Sequence, residues 1–154
     1  MPPDAPPTRS LLVIEDGHEY EEFARLFLAD GFAIRAAHSA AEALARLTEA
    51  PADAFLVDLR FERSPVEHLI GDVDATARRR FAGDVHRAVR YLKEQQGTLV
   101  LGRVRQAGFD GPAVFVHDFA ARRLANLRKL YGDVHAVPAF DAEAIRRALT
   151  GGAP

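Results

Sequence analysis

The sequence contains no cysteine and no tryptophan, and none of its apolar runs is long enough to span a membrane. Without cysteine, the chain cannot form disulfide bonds, use a thiolate in catalysis or bind zinc through sulfur. The start of the chain carries no signal-peptide pattern, so we expect a cytoplasmic protein. A net charge of −2 favours neither nucleic acid nor any other strongly charged partner.

What is present fits one globular domain. The chain has 154 residues, of which 48% are hydrophobic and 27% charged, and this is enough to bury a substantial core. The proline-rich start predicts a disordered tail over residues 1–8, because proline favours extended backbone. We expect the folded domain over residues 9–150 and a short tail over residues 151–154.

Apolar runs with the character of strands alternate with segments that have helical spacing. The predicted strands are Leu11–Ile14, Phe32–Ala36, Ala54–Val57, Ala113–Val116 and Val134–Val137. The predicted helices are Glu19–Ala29, a Ser39-capped helix, Thr98–Ala107, Phe119–Leu130 and an Asp141-capped helix that ends at Leu149. This alternation predicts an α/β fold, a doubly wound five-stranded parallel sheet in the order 2-1-3-4-5, with helices on both faces.

The connection between the third and fourth predicted strands is unusually long. A parallel crossover needs roughly a dozen or more residues, so we interpret residues 61–96 as an insertion after the third strand. An apolar stripe predicts one extra helix there, over about Asp74–Glu94. The stripe consists of Phe81, Val85, Ala88 and Leu92. We expect it to pack against the domain or a second subunit.

Carboxylates follow two of the buried strands directly. Glu15 and Asp16 come after the first strand, and Asp58 comes after the third. In an open α/β sheet, ligands bind outside the carboxyl ends of the strands. Three acids delivered to that edge predict a cation site.

These residues resemble the receiver domain of bacterial response regulators, which has the CheY-like fold. The resemblance implies that Glu15, Asp16, Asp58 and the backbone carbonyl of Arg60 bind Mg²⁺. It further implies that Asp58 accepts a phosphoryl group, in a two-component phosphorelay with a histidine kinase. The metal would neutralise charge on both the attacking carboxylate and the anionic donor.

The sequence departs from the receiver pattern at two further site positions. His117 stands where the family has a Ser or Thr after the fourth strand, and Val137 stands where it has a Lys before a Pro. Without the Lys, the carboxylates repel one another unless another cation replaces it, and Arg60 and His117 are the nearby candidates. We therefore expect an atypical or pseudo-receiver, with weak Mg²⁺ binding and weak or lost phosphorylation of Asp58.

Plainer interpretations remain open for each of these residues. Asp16 and Asp58 would also suit helix caps or turns, Glu15 a solvated position, and His117 a hydrogen-bonded strand end. The remaining histidines have no convincing metal-ligand spacing and are assigned no role: His18, His38, His68, His86 and His135. A basic stretch over residues 78–105 is interpreted as a solvated face, not as a nucleic-acid interface.

The functional expectation is a stand-alone signalling domain that acts through protein docking. Only five residues follow Leu149 in this sequence, so we expect output through a protein partner, a histidine kinase or a homodimer, and no membrane contact. The alternative is a metal-dependent phosphotransfer enzyme with a Toprim-like acidic site. That family has an Asp-x-Asp pair, whereas here Arg60 replaces the second acid, so we do not expect an enzyme. A haloacid-dehalogenase assignment fails at the same residue.

Overall fold

The computed structural model describes residues 8–151, which form one five-stranded sheet flanked by helices. The predicted end segments thus lie outside the described residues, apart from Thr8 and Gly151. The strands are β1 (Arg9–Ile14), β2 (Phe32–Ala37), β3 (Ala54–Val57), β4 (Ala113–Val116) and β5 (Val134–Val137). The helices are α1 (Glu19–Phe27), α2 (Ala40–Glu49), α3 (Val73–Arg80), α4 (Val85–Gln106), α5 (Ala121–Tyr131) and α6 (Ala142–Leu149). A short 3₁₀ turn covers Val66–His68.

All strand pairs are parallel, and the strand order is 2-1-3-4-5, so the predicted fold class is confirmed. β1 and β3 lie side by side, with Leu11 opposite Ala54 and Ile14 opposite Val57. Their ends are therefore level, and the residues that follow each strand emerge at the same edge of the sheet. This register positions the candidate site.

Alternating strand residues supply two separate cores, one on each face of the sheet. Leu12, Ile14 and Phe55 pack in the core that also contains buried residues of α2, α4 and α5. The other core combines Leu11 and Val13 with buried residues of α1 and α6. Because the central strands are covered on both faces, they consist of continuous apolar residues. Burying each large side chain contributes roughly 1.5–3 kcal/mol.

Side-chain caps fix where several helices begin. The hydroxyl of Ser39 accepts a hydrogen bond from the Glu42 amide at 3.1 Å, and the carboxylate of Asp141 accepts one from the Ala144 amide at 3.1 Å. Both caps were predicted from the sequence. Each satisfies an amide that would otherwise lack a partner in the first helical turn.

The helices between β3 and β4 differ from the prediction. We expected one helix over Asp74–Glu94 and a separate one over Thr98–Ala107, whereas the structure ends α3 at Arg80 and runs α4 unbroken through residues 85–106. The chain turns at Ala82 and Gly83, which both have positive φ, and Asp84 then caps α4 by accepting from the Arg87 amide. The break falls there because glycine adopts that conformation readily and Asp is a strong N-cap.

The predicted apolar stripe is divided by this turn. Ala88 and Leu92 are buried, as expected, but Val85 is 46% exposed. Phe81 follows the last residue of α3, and its ring lies 5.8 Å from that of Tyr91 on α4. The two helices therefore pack against each other, in addition to the packing of α4 against the sheet.

The backbone of α4 is bonded directly to the segment that follows β3. The Gly97 amide donates to the Leu59 carbonyl, and the Lys93 carbonyl accepts from the Phe61 amide, both at 2.9 Å. In a regular helix the amide of residue 97 and the carbonyl of residue 93 would bond each other. The approach is so close that a Cβ on Gly97 would lie 2.1 Å from the Asp58 carbonyl oxygen.

We predict that Gly97→Ala destabilises the fold by about 1–3 kcal/mol through overpacking against backbone that cannot move aside. This reverses the usual gain of roughly 1 kcal/mol for Gly→Ala within a helix. Urea unfolding followed by circular dichroism measures the change. Gly102→Ala is the control in the same helix, because its nearest neighbours are atoms of the flexible Tyr131 side chain. A Gly97→Ala variant as stable as the parent would contradict the prediction.

Candidate functional site

The candidate site lies at the edge of the sheet where β1 and β3 end. The Asp58 amide donates to the Ile14 carbonyl at 2.9 Å, and the Glu15 amide donates to the Ala37 carbonyl at 3.0 Å. These bonds extend the strand pairing by one residue and hold the three predicted acids near one another. Two of them, Asp16 and Asp58, line the same cavity.

This cavity has a volume of about 340 Å³ and is bounded by three parts of the chain. The β1–α1 connection and the segment after β3 supply most of its polar groups, and the β5–α6 connection supplies an aromatic ring. The lining residues are Asp16, Glu19, Tyr20, Asp58, Arg60, Glu62, Arg63 and Phe140. The cavity is thus acidic at its base, with arginines and a phenyl ring around it.

Glu15 is fully buried, and its carboxylate does not line the cavity. One oxygen accepts from the Tyr20 amide at 3.0 Å, and the other accepts from the Glu21 amide at 2.7 Å. Burial raises the pKa of this carboxyl, although the two amide bonds oppose the shift. The structure therefore places Glu15 at the start of α1, where it satisfies two first-turn amides.

Asp58 is half-buried and lacks a strong cationic partner. Its Oδ1 accepts from the Arg60 amide at 3.2 Å, and the Tyr20 side chain lines the same cavity. Burial, followed by the negative charges of Asp16 and Glu15, raises its pKa to about 6. The same surroundings raise the pKa of Tyr20, mainly by burial and then by the charge of Asp58. The surroundings of Asp58 and Tyr20 therefore disfavour the ionised form of both side chains.

The two positions that depart from the receiver pattern, His117 and Val137, do not line this cavity. Val137 ends β5 as predicted and is buried in the core, and its carbonyl accepts from the His117 amide at 2.9 Å. The His117 ring packs against Phe119, with ring centroids 4.6 Å apart. Partial burial, and then the charges of Arg60 and Arg123, lower the pKa of His117. Neither side chain supplies a cation to Asp58.

Phe140 occupies the side of the cavity nearest the end of β5. Its ring lies 4.9 Å from the rings of both Tyr20 and Phe23. An apolar group at this position desolvates a neighbouring carboxylate instead of compensating its charge. Phe140 is not among the site residues predicted from the sequence, because nothing in the pattern indicates that the β5–α6 connection folds back onto α1.

Arg63 is a cationic residue of the cavity that the sequence pattern did not predict. Its amide donates to Asp16 at 2.5 Å, and its guanidinium pairs with Glu19 at 2.7 Å. The guanidinium and the Glu19 carboxylate lie over Gly17, where a Cβ would lie 2.1 Å from the guanidinium. The Arg63 hydrogen bond lowers the pKa of Glu19 to about 2. The only available signal was proximity in sequence, because Arg63 follows Asp58 by five residues within the predicted insertion.

Solved structures with the same fold are receiver domains of response regulators. NtrX from Brucella abortus has a TM-score of 0.62 and 16% identity over 94% of this chain. A Burkholderia pseudomallei response regulator, solved with a phosphorylated aspartic acid, a calcium ion and citrate, has a TM-score of 0.60 and 17% identity over 92%. The CheY-like receiver domain protein of Methanospirillum hungatei JF-1 has a TM-score of 0.61 and 11% identity over 94%.

These similarities establish the fold of the chain. It spans 27% of NtrX, 66% of the Burkholderia protein and 93% of the Methanospirillum protein. No protein-family model and no curated protein sequence matches it. The chain therefore has the receiver-domain fold of the CheY type, as the sequence predicted. Among residues 8–151, no helix is long and apolar enough to cross a membrane.

We predict that Asp58→Asn stabilises the metal-free protein at neutral pH. The raised pKa means that the fold disfavours the ionised carboxylate, so the contribution of Asp58 to the free energy of unfolding is most favourable below about pH 4 and falls as pH rises towards about 6. A shift of this size corresponds to about 3 kcal/mol, and solvent screening at a half-buried position reduces it to roughly 1–3 kcal/mol.

Unfolding by urea in EDTA between pH 4 and pH 8 measures this gain. It should be small at pH 4 and reach its full value above pH 6. Glu67→Gln, which removes an exposed carboxyl from the 3₁₀ turn, is the matched control. A gain that does not change with pH would show that the ionisation of Asp58 is not its cause.

Proposed function

We propose that this chain is an atypical receiver domain that acts in signal transduction by docking to a protein partner, with weak or lost phosphorylation of Asp58. One observation carries the proposal. Asp16 and Asp58 line one cavity of a receiver fold, but apolar Val137 stands at the end of β5, where the family's lysine is expected. The carboxylate that would accept a phosphoryl group is present, and the lysine that would contact that group is replaced by an apolar residue.

The donors in the cavity fit a weak Mg²⁺ site. Asp16 and Asp58 provide hard carboxylate oxygens, the Arg60 carbonyl is the expected backbone ligand, and Mg²⁺ prefers oxygen donors. Both oxygens of Glu15 already accept backbone amides, so this acid adds negative charge nearby rather than a free ligand atom. When bound, the metal would neutralise charge on the carboxylate and on a phosphoryl donor.

The chain's own residues favour attachment of a phosphoryl group to Asp58 more than transmission of the resulting signal through the domain. At neutral pH Asp58 is mostly ionised, so it can act as the nucleophile, and the side chains of Arg60 and Arg63 border the same cavity. Those arginines come from the segment after β3. The expected hydroxyl is replaced by His117, whose ring is held against Phe119. The two groups that would contact the phosphoryl group, a hydroxyl after β4 and a lysine at the end of β5, are therefore replaced by His117 and Val137.

The segment after β3 also limits access to Asp58. Glu62 and Arg63 border the cavity, and the Phe61 amide fastens this segment to α4. Further along, buried Gln96 bonds both backbone groups of Ile70, at 2.7 and 3.2 Å. A segment held at both ends restricts the approach of a histidine kinase. Basic residues of α3 and α4 are exposed beyond it and suit an acidic protein partner: Arg79, Arg87 and Arg90.

We expect little modification of Asp58 by a small phosphodonor. Untagged protein is incubated with acetyl phosphate and Mg²⁺, and intact-mass spectrometry measures the phosphorylated fraction. Asp58→Asn is the control for the site of modification. A stoichiometric adduct on Asp58, together with altered self-association or partner binding, would refute the pseudo-receiver assignment. Turnover of a phosphodiester dependent on Asp58 would instead support the alternative of a metal-dependent phosphotransfer enzyme.

We further predict that Val137→Lys increases the phosphorylated fraction of Asp58. A lysine at the strand end can bury its aliphatic stem and extend its ammonium towards the carboxylates. The same assay compares this variant with Val137→Met, which has an unbranched side chain without charge. Equal modification of the two variants would mean that the missing cation is not what limits the reaction.

A further inference from the structure

A second group of potential metal ligands lies at the same edge of the sheet, next to β2. It contains His18 from the β1–α1 connection, Glu21 from the first turn of α1 and His38 from the β2–α2 connection. One ligand atom from each lies within 4.8 Å of the others. The two imidazole rings are 5.2 Å apart and inclined at 70°. Spacing along the sequence did not reveal this set, because His18 and His38 lie twenty residues apart in two different connections.

His38 is oriented as metal-binding histidines commonly are. Its Nδ1 lies 3.1 Å from the backbone carbonyl of Glu15. A ring that donates Nδ1–H to a carbonyl carries its lone pair on Nε2, the atom then available to a metal. The carbonyl belongs to a fully buried residue whose amide is bonded to β2, so the acceptor is fixed.

The backbone of Glu21 is fixed as well. Its amide donates to the Glu15 carboxylate at 2.7 Å, which holds this turn of α1 in place. The Glu21 carboxylate uses Oε2 to bond Arg25 at 2.9 Å. His18, in contrast, is exposed, and its ring contacts only that of His38 among the aromatic and imidazole rings of residues 8–151. The group therefore combines two anchored residues with one adaptable residue.

We propose that His18, Glu21 and His38 form a binding site for a divalent transition metal, with Zn²⁺ as the best fit. Two imidazoles and one carboxylate are a common zinc set, and water completes the tetrahedron. Bonds of roughly 2.0–2.2 Å bring the ligand atoms to about 3.4 Å from one another. The atoms must therefore approach by at most about 1.5 Å, which rotation of the His18 and Glu21 side chains can provide. This proposal does not depend on the proposed function.

The ligand types separate this site from the acidic cavity. Imidazole nitrogen suits zinc, nickel and copper, whereas Mg²⁺ prefers oxygen and keeps most of its water. The two sites are adjacent in the chain, because Tyr20 lines the acidic cavity and Glu21 belongs to the histidine site. Binding of Zn²⁺ would therefore fix the β1–α1 connection that also carries Asp16.

Calorimetric titration of the untagged, metal-stripped full chain with Zn²⁺ tests the proposal. We expect one Zn²⁺ per chain, and affinity at least about tenfold weaker in His18→Ala, Glu21→Gln and His38→Gln. The glutamine variants avoid large holes, and circular dichroism confirms that each variant is folded. Arg25→Ala should tighten binding, since it frees the second Glu21 oxygen and removes a nearby positive charge.

Control variants decide where the metal binds. His86→Ala and His135→Ala remove imidazoles elsewhere on the surface and should leave the Zn²⁺ affinity unchanged, as should Asp58→Asn. Bound Co²⁺ should show the visible absorption of a four- or five-coordinate site, and His38→Gln should abolish it. The proposal is overturned if the chain takes up no Zn²⁺. It is also overturned if His38→Gln binds as tightly as the parent, or if Asp58→Asn removes the binding.

Discussion

The arrangement of the sheet edge where β1 and β3 end depends on the buried residue Glu15. Its amide donates a hydrogen bond to the last residue of β2, and its carbonyl oxygen accepts one from the His38 ring. Its carboxylate accepts hydrogen bonds from two backbone amides of α1. A buried carboxylate is tolerated only where hydrogen bonds replace its water, and here the first turn of a helix supplies them. Through these bonds one residue fixes the positions of Asp16, Tyr20 and Glu21. Both the acidic cavity and the histidine group are built on this connection.

At the same edge, Asp16 and Asp58 line the cavity, while Val137 stands where the receiver pattern has a lysine. With Val137 in the core and Phe140 beside the cavity, the charge of Asp58 is opposed by burial and by its neighbours. Arg63 bonds Asp16 through its backbone amide and Glu19 through its guanidinium, but the pair with Glu19 is exposed and therefore screened by solvent. The charge imbalance is therefore local to Asp58, the residue on which the phosphorylation chemistry would depend.

The sequence predicted the sheet well, because continuous apolar runs such as Leu11–Ile14 indicate buried parallel strands without reference to the rest of the chain. It also placed Asp16, Asp58 and Val137 at the ends of their strands. The sequence did not predict features that depend on contacts between residues far apart in the chain. The continuity of α4 through Gly97 depends on bonds to Leu59 and Phe61, and a helical pattern does not encode them. Nor does spacing reveal that His18 and His38 meet, or that Arg63 reaches Glu19.

The backbone hydrogen bonds between α4 and the segment after β3 couple the position of this long helix to the backbone next to Asp58. A helix of 22 residues is about 33 Å long, and its grip on Leu59 and Phe61 lies near the middle. A small displacement of the backbone beside Asp58 would therefore tilt a rigid rod, with larger movements at both of its ends. One end carries the turn to α3 and the exposed arginines, and the other leads into β4. Such a movement of α4 would transmit a change at this edge of the sheet without a hydroxyl at position 117 or a lysine at position 137.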